Sequence, residues 1–252
     1  MTYCVAIAVD RGLVFASDSL TNAGVDNIST YRKLHSFIWE GDRVLALLSA
    51  GNLATTQAVV RRLETDAASE DPNTVGLQNI ATLSEAAAYV GRISCEVQTQ
   101  HQQGQQLADV NMGASFILGG QIGREPPGMF LIYPEGNFIT ASSEQPFLQI
   151  GEFKYGKPIL DRVIEHNTSL EDAARCALVS LDSTMRSNLT VGPPLDLLIY
   201  ETDSLKVKID TRYQDDDPYL TALRLQWRQG IKRAFEELPR FDKNEGVKSS
   251  NI

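Results

Sequence analysis

The sequence contains few of the features that mark secreted or membrane proteins. Its three cysteines, Cys4, Cys95 and Cys176, are far apart and odd in number, which is typical of reduced thiols rather than of a disulfide framework. No apolar run approaches the roughly 18 residues of a membrane-spanning helix. No basic segment followed by an apolar stretch and a cleavage site opens the chain, so no signal peptide is evident. These absences predict a cytoplasmic protein that does not enter a membrane.

Basic residues are also in short supply. The chain has 23 Lys and Arg against 32 Asp and Glu, a formal net charge of −9, which argues against non-specific binding to nucleic acids or anionic membranes. The histidines His35, His101 and His166 lack metal-ligand spacing. The run Gly119–Gly123 lacks the lysine and the helix start of a phosphate-binding loop. The sequence therefore predicts no metal, no cofactor and no nucleic-acid partner.

The length fits one large domain. The chain has 252 residues, of which 42% are hydrophobic, and these values are ordinary for a soluble globular protein. A chain of this size buries roughly 70–75% of its unfolded surface, so its core needs no disulfide or metal. We expect a single domain over residues 1–240 and a polar tail over residues 241–252.

Hydrophobic periodicity predicts blocks of strands that alternate with pairs of helices. Apolar strand-like runs lie at 2–9, 13–18, 28–37, 43–49, 114–118, 129–133, 138–141, 147–150, 195–201 and 205–209. Helices are expected at about 53–66, 83–103, 157–166, 170–185 and 219–238. Most neighbouring strands are close enough for hairpins, so the sheets should be mainly antiparallel. This order predicts two antiparallel sheets with helices on their outer faces, a layered α/β (α+β) architecture.

The first hairpin brings a carboxylate towards the start of the chain. Residues 2–9 alternate between large and small side chains. A three-residue turn over 10–12 would pair large side chains with large ones and would place Asp18 opposite Cys4, on the face of Thr2. Diagonal neighbours on one face lie about 7–8 Å apart, within reach of a side chain. A two-residue turn would instead move Asp18 to the other face.

The second residue, Thr2, is a candidate nucleophile. If Met1 is removed, which a small second residue permits, Thr2 carries a hydroxyl and a free α-amine. The hydroxyl can then attack a carbonyl while the amine, with a reference pKa of about 7.7–8.0, accepts its proton. Many proteins begin Met-Thr and run into a strand, so these two residues alone favour an ordinary strand start.

Further motifs accompany Thr2 in a fixed order. Asp18 lies in Ala-Ser-Asp-Ser, Lys33 lies in Tyr-Arg-Lys-Leu, and Ser49-Ala50-Gly51 precedes a predicted helix. The order and spacing resemble those of proteasome β-type subunits. Each motif alone is weak, but their ordered occurrence is specific.

Longer runs narrow the resemblance to one branch. The segments Val14–Ser19, Leu47–Leu53 and Ser187–Pro194 are similar to the bacterial group called Anbu, which is related to the proteasome β subunit and the HslV peptidase. The resemblance covers about Met1–Glu237. It implies an N-terminal-nucleophile hydrolase fold, a four-layer αββα sandwich with two mainly antiparallel sheets.

The resemblance also implies roles for four residues. Thr2 would be the nucleophile with its α-amine as base, Lys33 would lie near the hydroxyl and lower the cost of proton transfer, and Asp18 would orient Lys33. The backbone N–H of Gly51 would form the oxyanion hole. Each residue also has an ordinary interpretation: Lys33 as a surface lysine on an edge strand, Asp18 as a residue at a strand end, and Gly51 as a glycine at a turn.

Two departures from the family pattern affect the expected site. Glu152 stands where the family has a serine close to the amine; it would pair with the α-ammonium and weaken it as a base, or it would point to solvent. The family also has a late Asp and Ser that support the site. Ser187 and Thr190 are the best matches, although they would equally serve as hydroxyls at a helix end, and Asp182 lies too early.

The resemblance predicts a threonine-type endopeptidase that forms an acyl-enzyme on Thr2 and acts on peptides or unfolded proteins. Two alternatives stay open: an inactive or weakly active assembly or binding subunit with the same fold, and an amidase for small amides. The resemblance also implies self-assembly into a homo-oligomer that is a ring or ring-like. It leaves open the removal of Met1, the subunit number and any unfoldase partner.

Overall fold

The computed structural model describes residues 1–22, 28–103, 111–142 and 144–241. The strands among them are β1 Tyr3–Val9, β2 Gly12–Asp18, β3 Leu20–Asn22, β4 Ile28–Thr30, β5 Leu34–Trp39, β6 Arg43–Gly51, β7 Ala114–Ile122, β8 Gly128–Ile132, β9 Phe138–Thr140, β10 Phe147–Gly151, β11 Leu195–Glu201 and β12 Val207–Tyr213. The helices are α1 Leu53–Ala67, α2 Leu83–Gln103, α3 Lys157–Val163, α4 Leu170–Ser187 and α5 Pro218–Glu236. No helix in these described ranges has the length and apolar character to span a membrane.

The strands form two five-stranded sheets and a small ribbon. One sheet has the order β10-β1-β2-β11-β12, the other has the order β5-β6-β7-β8-β9, and β3 pairs with β4. Every strand pairing is antiparallel. The predicted class of fold, with two antiparallel sheets, is therefore confirmed.

Two apolar layers show how the sheets and helices stack. One buried cluster combines Cys4 and Phe15 of the first sheet with Leu48 and Ile117 of the second, so the two sheets pack face to face. A second cluster packs α1 and α2 on the outer face of the second sheet, through residues such as Leu63. Helix α4 contacts β1 and β2 on the other side. The result is the expected αββα sandwich.

The predicted register of the first hairpin is wrong by one residue. The turn between β1 and β2 has two residues, and Cys4 pairs with Ser17 while Ala6 pairs with Phe15. The prediction assumed that large side chains face one another. Both faces of this sheet are buried, so Phe15 is buried whether it lies beside Ala6 or beside Ile7. The apolar pattern therefore does not select one register.

The strand predicted over 28–37 is two strands. β4 pairs with β3 in the ribbon, β5 starts at Leu34, and Lys33 lies in the irregular segment between them. The carbonyl of Lys33 still accepts a hydrogen bond of 2.9 Å from the N–H of Ser49. Lys33 is thus held beside β6 although it is not in a strand.

Most other predicted elements lie where the pattern placed them. β11 and α2 have the predicted bounds, and Ser169 caps α4 by accepting a hydrogen bond from the N–H of Asp172. The second strand of the last hairpin is shifted to Val207–Tyr213. Leu205, which was predicted to start it, has a φ of 45° and lies in the turn.

The chain divides into two compact units, Met1–Asp215 and Asp216–Ile252. The described part of the second unit contains α5, whose first turn is capped by the carboxylate of Asp217 through the N–H groups of Tyr219 and Leu220. The single domain over 1–240 stays a prediction, and the predicted tail lies outside the described residues after Phe241.

Candidate active site

A buried ion pair lies beside the start of β1. Asp18 is the last residue of β2, and its Oδ1 lies 2.8 Å from Nζ of Lys33. The side chain of Asp18 is 0% exposed and that of Lys33 is 7% exposed. The contact expected between Lys33 and Asp18, the carboxylate that would orient it, is therefore present.

The carboxylate of Asp18 is held by three elements at once. Oδ1 also accepts the N–H of Tyr3 at 3.0 Å, and Oδ2 accepts the N–H of Gly192 at 3.2 Å. Burial raises the pKa of Asp18, while the charge of Lys33 and these two N–H groups oppose that rise. Because the strand end is anchored through Tyr3, Asp18 reaches the neighbourhood of Thr2 despite the shifted register.

Two of the three N–H bonds of the Lys33 ammonium have acceptors among the described residues. Its second hydrogen bond goes to the carbonyl of Leu20 at 2.7 Å. An ammonium carries three N–H bonds, and the contacts with Asp18 and Leu20 use two of them. Lys33 and Thr2 line the same cavity, of about 310 Å³, and neither of these two bonds occupies the third N–H.

Thr2 is fixed through its backbone. Its carbonyl accepts a hydrogen bond of 2.7 Å from the N–H of Glu152, just after β10 pairs Gly151 with Tyr3. Gly151 has a φ of +83°, and a Cβ there would lie 2.0 Å from the carbonyl oxygen of Thr2. A glycine is therefore required for β10 to come this close to the start of the chain.

Gly51 presents its backbone to the same cavity. In a central antiparallel strand the N–H groups alternate between the two neighbours. The N–H of Ser49 donates to Lys33 on the β5 side, and the N–H of Asn52 donates to Gly113 on the β7 side. The N–H of Gly51 is thus directed to the β5 side, beyond the first residue of β5, where the cavity lies. Gly51 also has a φ of +115°, and a Cβ there would lie 2.5 Å from the Gly113 carbonyl oxygen.

Glu152 does not point to solvent. The residue is 9% exposed, and its carboxylate accepts a hydrogen bond of 2.9 Å from Nδ2 of Asn188 and lies 3.3 Å from Nζ of Lys154. The partners of its carboxylate are thus Asn188 and Lys154, and its pairing with the α-ammonium of a processed Thr2 stays a prediction. Burial and then the charge of Lys33 lower the pKa of the Met1 amine, whereas Asp18 and Glu152 raise it.

The segment after α4 contributes a residue that the sequence analysis missed. Asn188 bonds to Glu152 and also accepts hydrogen bonds from the N–H and the hydroxyl of Thr190, at 3.0 and 2.6 Å. Ser187 ends α4 and is exposed. Thr190 therefore connects to Glu152 through Asn188. The hydrogen bond between Asn188 and Glu152 joins residues 36 positions apart, so no local sequence pattern reveals it.

A late aspartate lies next to the ion pair in the sheet. Asp196 pairs with Ser17 in the register of β11 with β2, is 3% exposed, accepts the hydroxyl of Ser19 at 3.0 Å and forms an ion pair with Arg212 at 2.8 Å. Asp196 is not among the site residues predicted from the sequence. A lone acid inside an apolar strand is the signal that would have identified it.

The αββα sandwich, with Thr2, Lys33 and Asp18 at one end of its sheets, defines a proteasome-type N-terminal-nucleophile fold. Residues 2–199 match the family described as Proteasome subunit. The chain belongs to this family.

Comparison with solved structures places the chain in one branch of it, Anbu. Anbu (ancestral beta-subunit) from Yersinia bercovieri is 46% identical, with a TM-score of 0.90 over 96% of this chain and 100% of that one. Anbu from Pseudomonas aeruginosa, solved as a helical assembly, is also 46% identical, with a TM-score of 0.90 over 97% of this chain and 100% of that one. Anbu from Hyphomicrobium sp. strain MC1 is 45% identical, with a TM-score of 0.85 over 95% and 99% of the two chains. A comparison with curated proteins finds no match.

Proposed function

We propose that the protein is a threonine peptidase that cleaves peptide bonds through an acyl-enzyme on Thr2, after removal of Met1. The observation that carries the proposal is the buried contact between Lys33 and Asp18, beside a cavity that Lys33 lines together with Thr2 and Gly51. The arrangement combines a nucleophile, a fixed positive charge and a backbone donor around one space.

The first half of the reaction follows from these positions. The α-amine of processed Thr2 takes the proton of the Thr2 hydroxyl, and Oγ attacks the substrate carbonyl. The ammonium of Lys33 favours the alkoxide and disfavours protonation of the nearby amine. The carbonyl oxygen becomes an oxyanion and accepts a hydrogen bond from the N–H of Gly51. Asn52 caps α1 immediately after Gly51, so the positive end of that helix adds to the stabilisation.

The second half releases the two products. The protonated amine of Thr2 donates its proton to the leaving nitrogen, and the substrate acyl group stays on Oγ as an ester. A water molecule, deprotonated by the same amine, then attacks the ester and regenerates the Thr2 hydroxyl. The reaction consumes one water for each peptide bond and requires no group beyond this chain's own residues.

One observation supports a second candidate, a subunit of the same fold with negligible turnover. Glu152 is buried close to the start of the chain, and a carboxylate there raises the pKa of the nearby amine, which opposes its action as a base. Lys154 and Asn188 oppose this effect because both bind the same carboxylate and draw its charge away from the amine. We propose that these two contacts leave the Thr2 amine able to act as a base, and that the peptidase is therefore active.

Self-assembly forms part of the proposal. The relative from Pseudomonas aeruginosa is described as a helical assembly, and the 97% coverage and TM-score of 0.90 with that chain support a homo-oligomer for this protein too. Peptides or unfolded segments are then the substrates, and small amides are the alternative that substrate profiling separates.

The test compares purified wild-type protein with Thr2→Ala and Thr2→Ser on a panel of fluorogenic peptides. Alanine and serine both permit removal of Met1. Thr2→Ala removes the hydroxyl and a methyl group, whereas Thr2→Ser keeps the hydroxyl and removes the methyl group alone. We expect no hydrolysis by Thr2→Ala and residual hydrolysis by Thr2→Ser. Hydrolysis by Thr2→Ala at the wild-type rate would overturn the proposal. Hydrolysis of small amides without hydrolysis of peptides would favour the amidase.

A further inference from the structure

The cavity beside Thr2 carries charges that the reaction itself does not use. Its wall includes Arg32, which directly precedes Lys33, and one face of α1 that presents Arg61 and Glu64. The ammonium of Lys33 is paired with Asp18 and already has a role in the reaction, and burial lowers the pKa of His35, which favours the neutral imidazole. The charges that remain are therefore two guanidinium groups and one carboxylate.

Both guanidinium groups lie at the cavity wall. Within the described part of the chain, the ion pairs do not include Arg32, Arg61 or Glu64. The next residue, Arg62, is different because its guanidinium is held by the carboxylate of Asp66 at 2.8 Å. A free guanidinium at a cavity wall favours a carboxylate, since it can donate two parallel N–H bonds to it.

The position of each charge along α1 decides which sign dominates near the reacting bond. Arg61 lies eight residues after Leu53, about 12 Å along the helix, and Glu64 lies about 16 Å along it. Side chains on a helix lean towards its N-terminus, which is the end that adjoins Gly51. Arg61 therefore reaches closer to Gly51 and Thr2 than Glu64 does, and Arg32 adjoins Lys33 on the other wall.

The substrate residue that meets this wall can also be assigned. In the acyl-enzyme the substrate carbonyl carbon is bonded to Oγ of Thr2, and its oxygen lies at the N–H of Gly51. The residue that supplies this carbonyl is thus the one nearest the cavity. We therefore expect its side chain to face the cavity, whose wall includes Thr2, Gly51, Arg32 and Arg61.

We infer that the peptidase prefers substrates with an acidic residue on the acyl side of the cleaved bond, and that Arg61, supported by Arg32, determines this specificity. The inference rests on the proposed function of the site. Glu64 opposes the preference from further along α1, and it disfavours a second carboxylate deeper in the cavity.

The experiment uses pairs of acetylated tripeptide aminocoumarin substrates that differ only in Glu or Gln at the last residue. The full-length protein should cleave the Glu substrate with a kcat/KM about fivefold higher or more. Arg61→Gln should bring the ratio towards one, and Glu64→Gln should raise it. Arg62→Gln, on the neighbouring position outside the cavity, should leave the ratio unchanged. The preference should also weaken as salt concentration rises.

A wild-type ratio at or below one, or a ratio unchanged by Arg61→Gln, would overturn the inference and leave the proposed peptidase intact. Absence of cleavage of every substrate would instead contradict the proposed function. Calorimetric binding of the acetylated tripeptide acids ending in Glu or Gln then tests the cavity without turnover. About fivefold tighter binding of the Glu peptide, lost in Arg61→Gln, supports the inference, and equal binding overturns it.

Discussion

Nζ of Lys33 lies 2.8 Å from Oδ1 of Asp18, and neither side chain is more than 7% exposed. The pair joins the end of β2 to the segment before β5, so it connects the two sheets at the end where the chain starts. Opposite charges taken out of water are costly to separate, because removal of one leaves the other buried and unpaired. This contact therefore links the stability of the fold to the chemistry of the site.

Lys33→Met should destabilise the protein by about 3–5 kcal/mol, because it leaves the Asp18 carboxylate buried without its partner. The second change Asp18→Asn in the same chain should recover much of that loss, since no charge is then left buried. Peptide hydrolysis should be absent from both variants. Denaturant unfolding measures the stability, and recovery of hydrolysis in the double variant would contradict the role given to Lys33.

Glu152→Gln should extend peptide hydrolysis to lower pH. The carboxylate of Glu152 raises the pKa of the Met1 amine, and the backbone of Glu152 bonds to the carbonyl of Thr2, so the same carboxylate should raise the pKa of the Thr2 amine that removal of Met1 exposes. Its removal should then lower that pKa, and the amine should become a free base at a lower pH. The acidic limb of the kcat/KM profile should shift to lower pH. Glu165→Gln, an exposed position, serves as control, and an unchanged limb in Glu152→Gln would show that this carboxylate does not act on the amine.

Gly51→Ala should destabilise the protein by about 1–3 kcal/mol and abolish hydrolysis. The new methyl group meets the Gly113 carbonyl and requires a φ of +115°, which an L side chain rarely adopts. Gly41→Ala is the matched control, since Gly41 also has a positive φ but nothing within 4 Å of the added Cβ. It should retain hydrolysis. Equal loss of hydrolysis in the two variants would argue against a specific role for Gly51.

Tyr3→Phe should destabilise the protein by about 1–2 kcal/mol, with hydrolysis unchanged. The buried hydroxyl of Tyr3 bonds to the hydroxyl of Ser180 at 2.7 Å and to Nε2 of Gln149 at 2.6 Å. Its removal would take this partner from Ser180 and leave Gln149 with its longer bond to the carbonyl of Phe153, at 3.4 Å. In a double-mutant cycle with Ser180→Ala the combined loss should be smaller than the sum. Strict additivity would contradict this contact between β1 and α4.

The fold was largely predictable because its helices and most of its strands have clear periodicity, as in α2 and β11. The register of the first hairpin could not be predicted, because a sheet buried on both faces has no polar side that fixes which residues face one another. Asp18 and Lys33 could be placed near Thr2 from motif order alone. The contacts of Glu152 with Asn188 and Lys154, and the position of Asp196 beside Ser17, depend on pairings between distant segments that only the folded chain brings together.

The central claim is that a processed Thr2 is a reactive nucleophile, and the intact mass of the purified protein tests it most directly. The mass is measured before and after reaction with a threonine-directed epoxyketone or β-lactone, with Thr2→Ala as control. We predict loss of Met1 and one adduct per chain, absent from Thr2→Ala. A chain that retains Met1, or a processed chain that gains no adduct, would contradict the account.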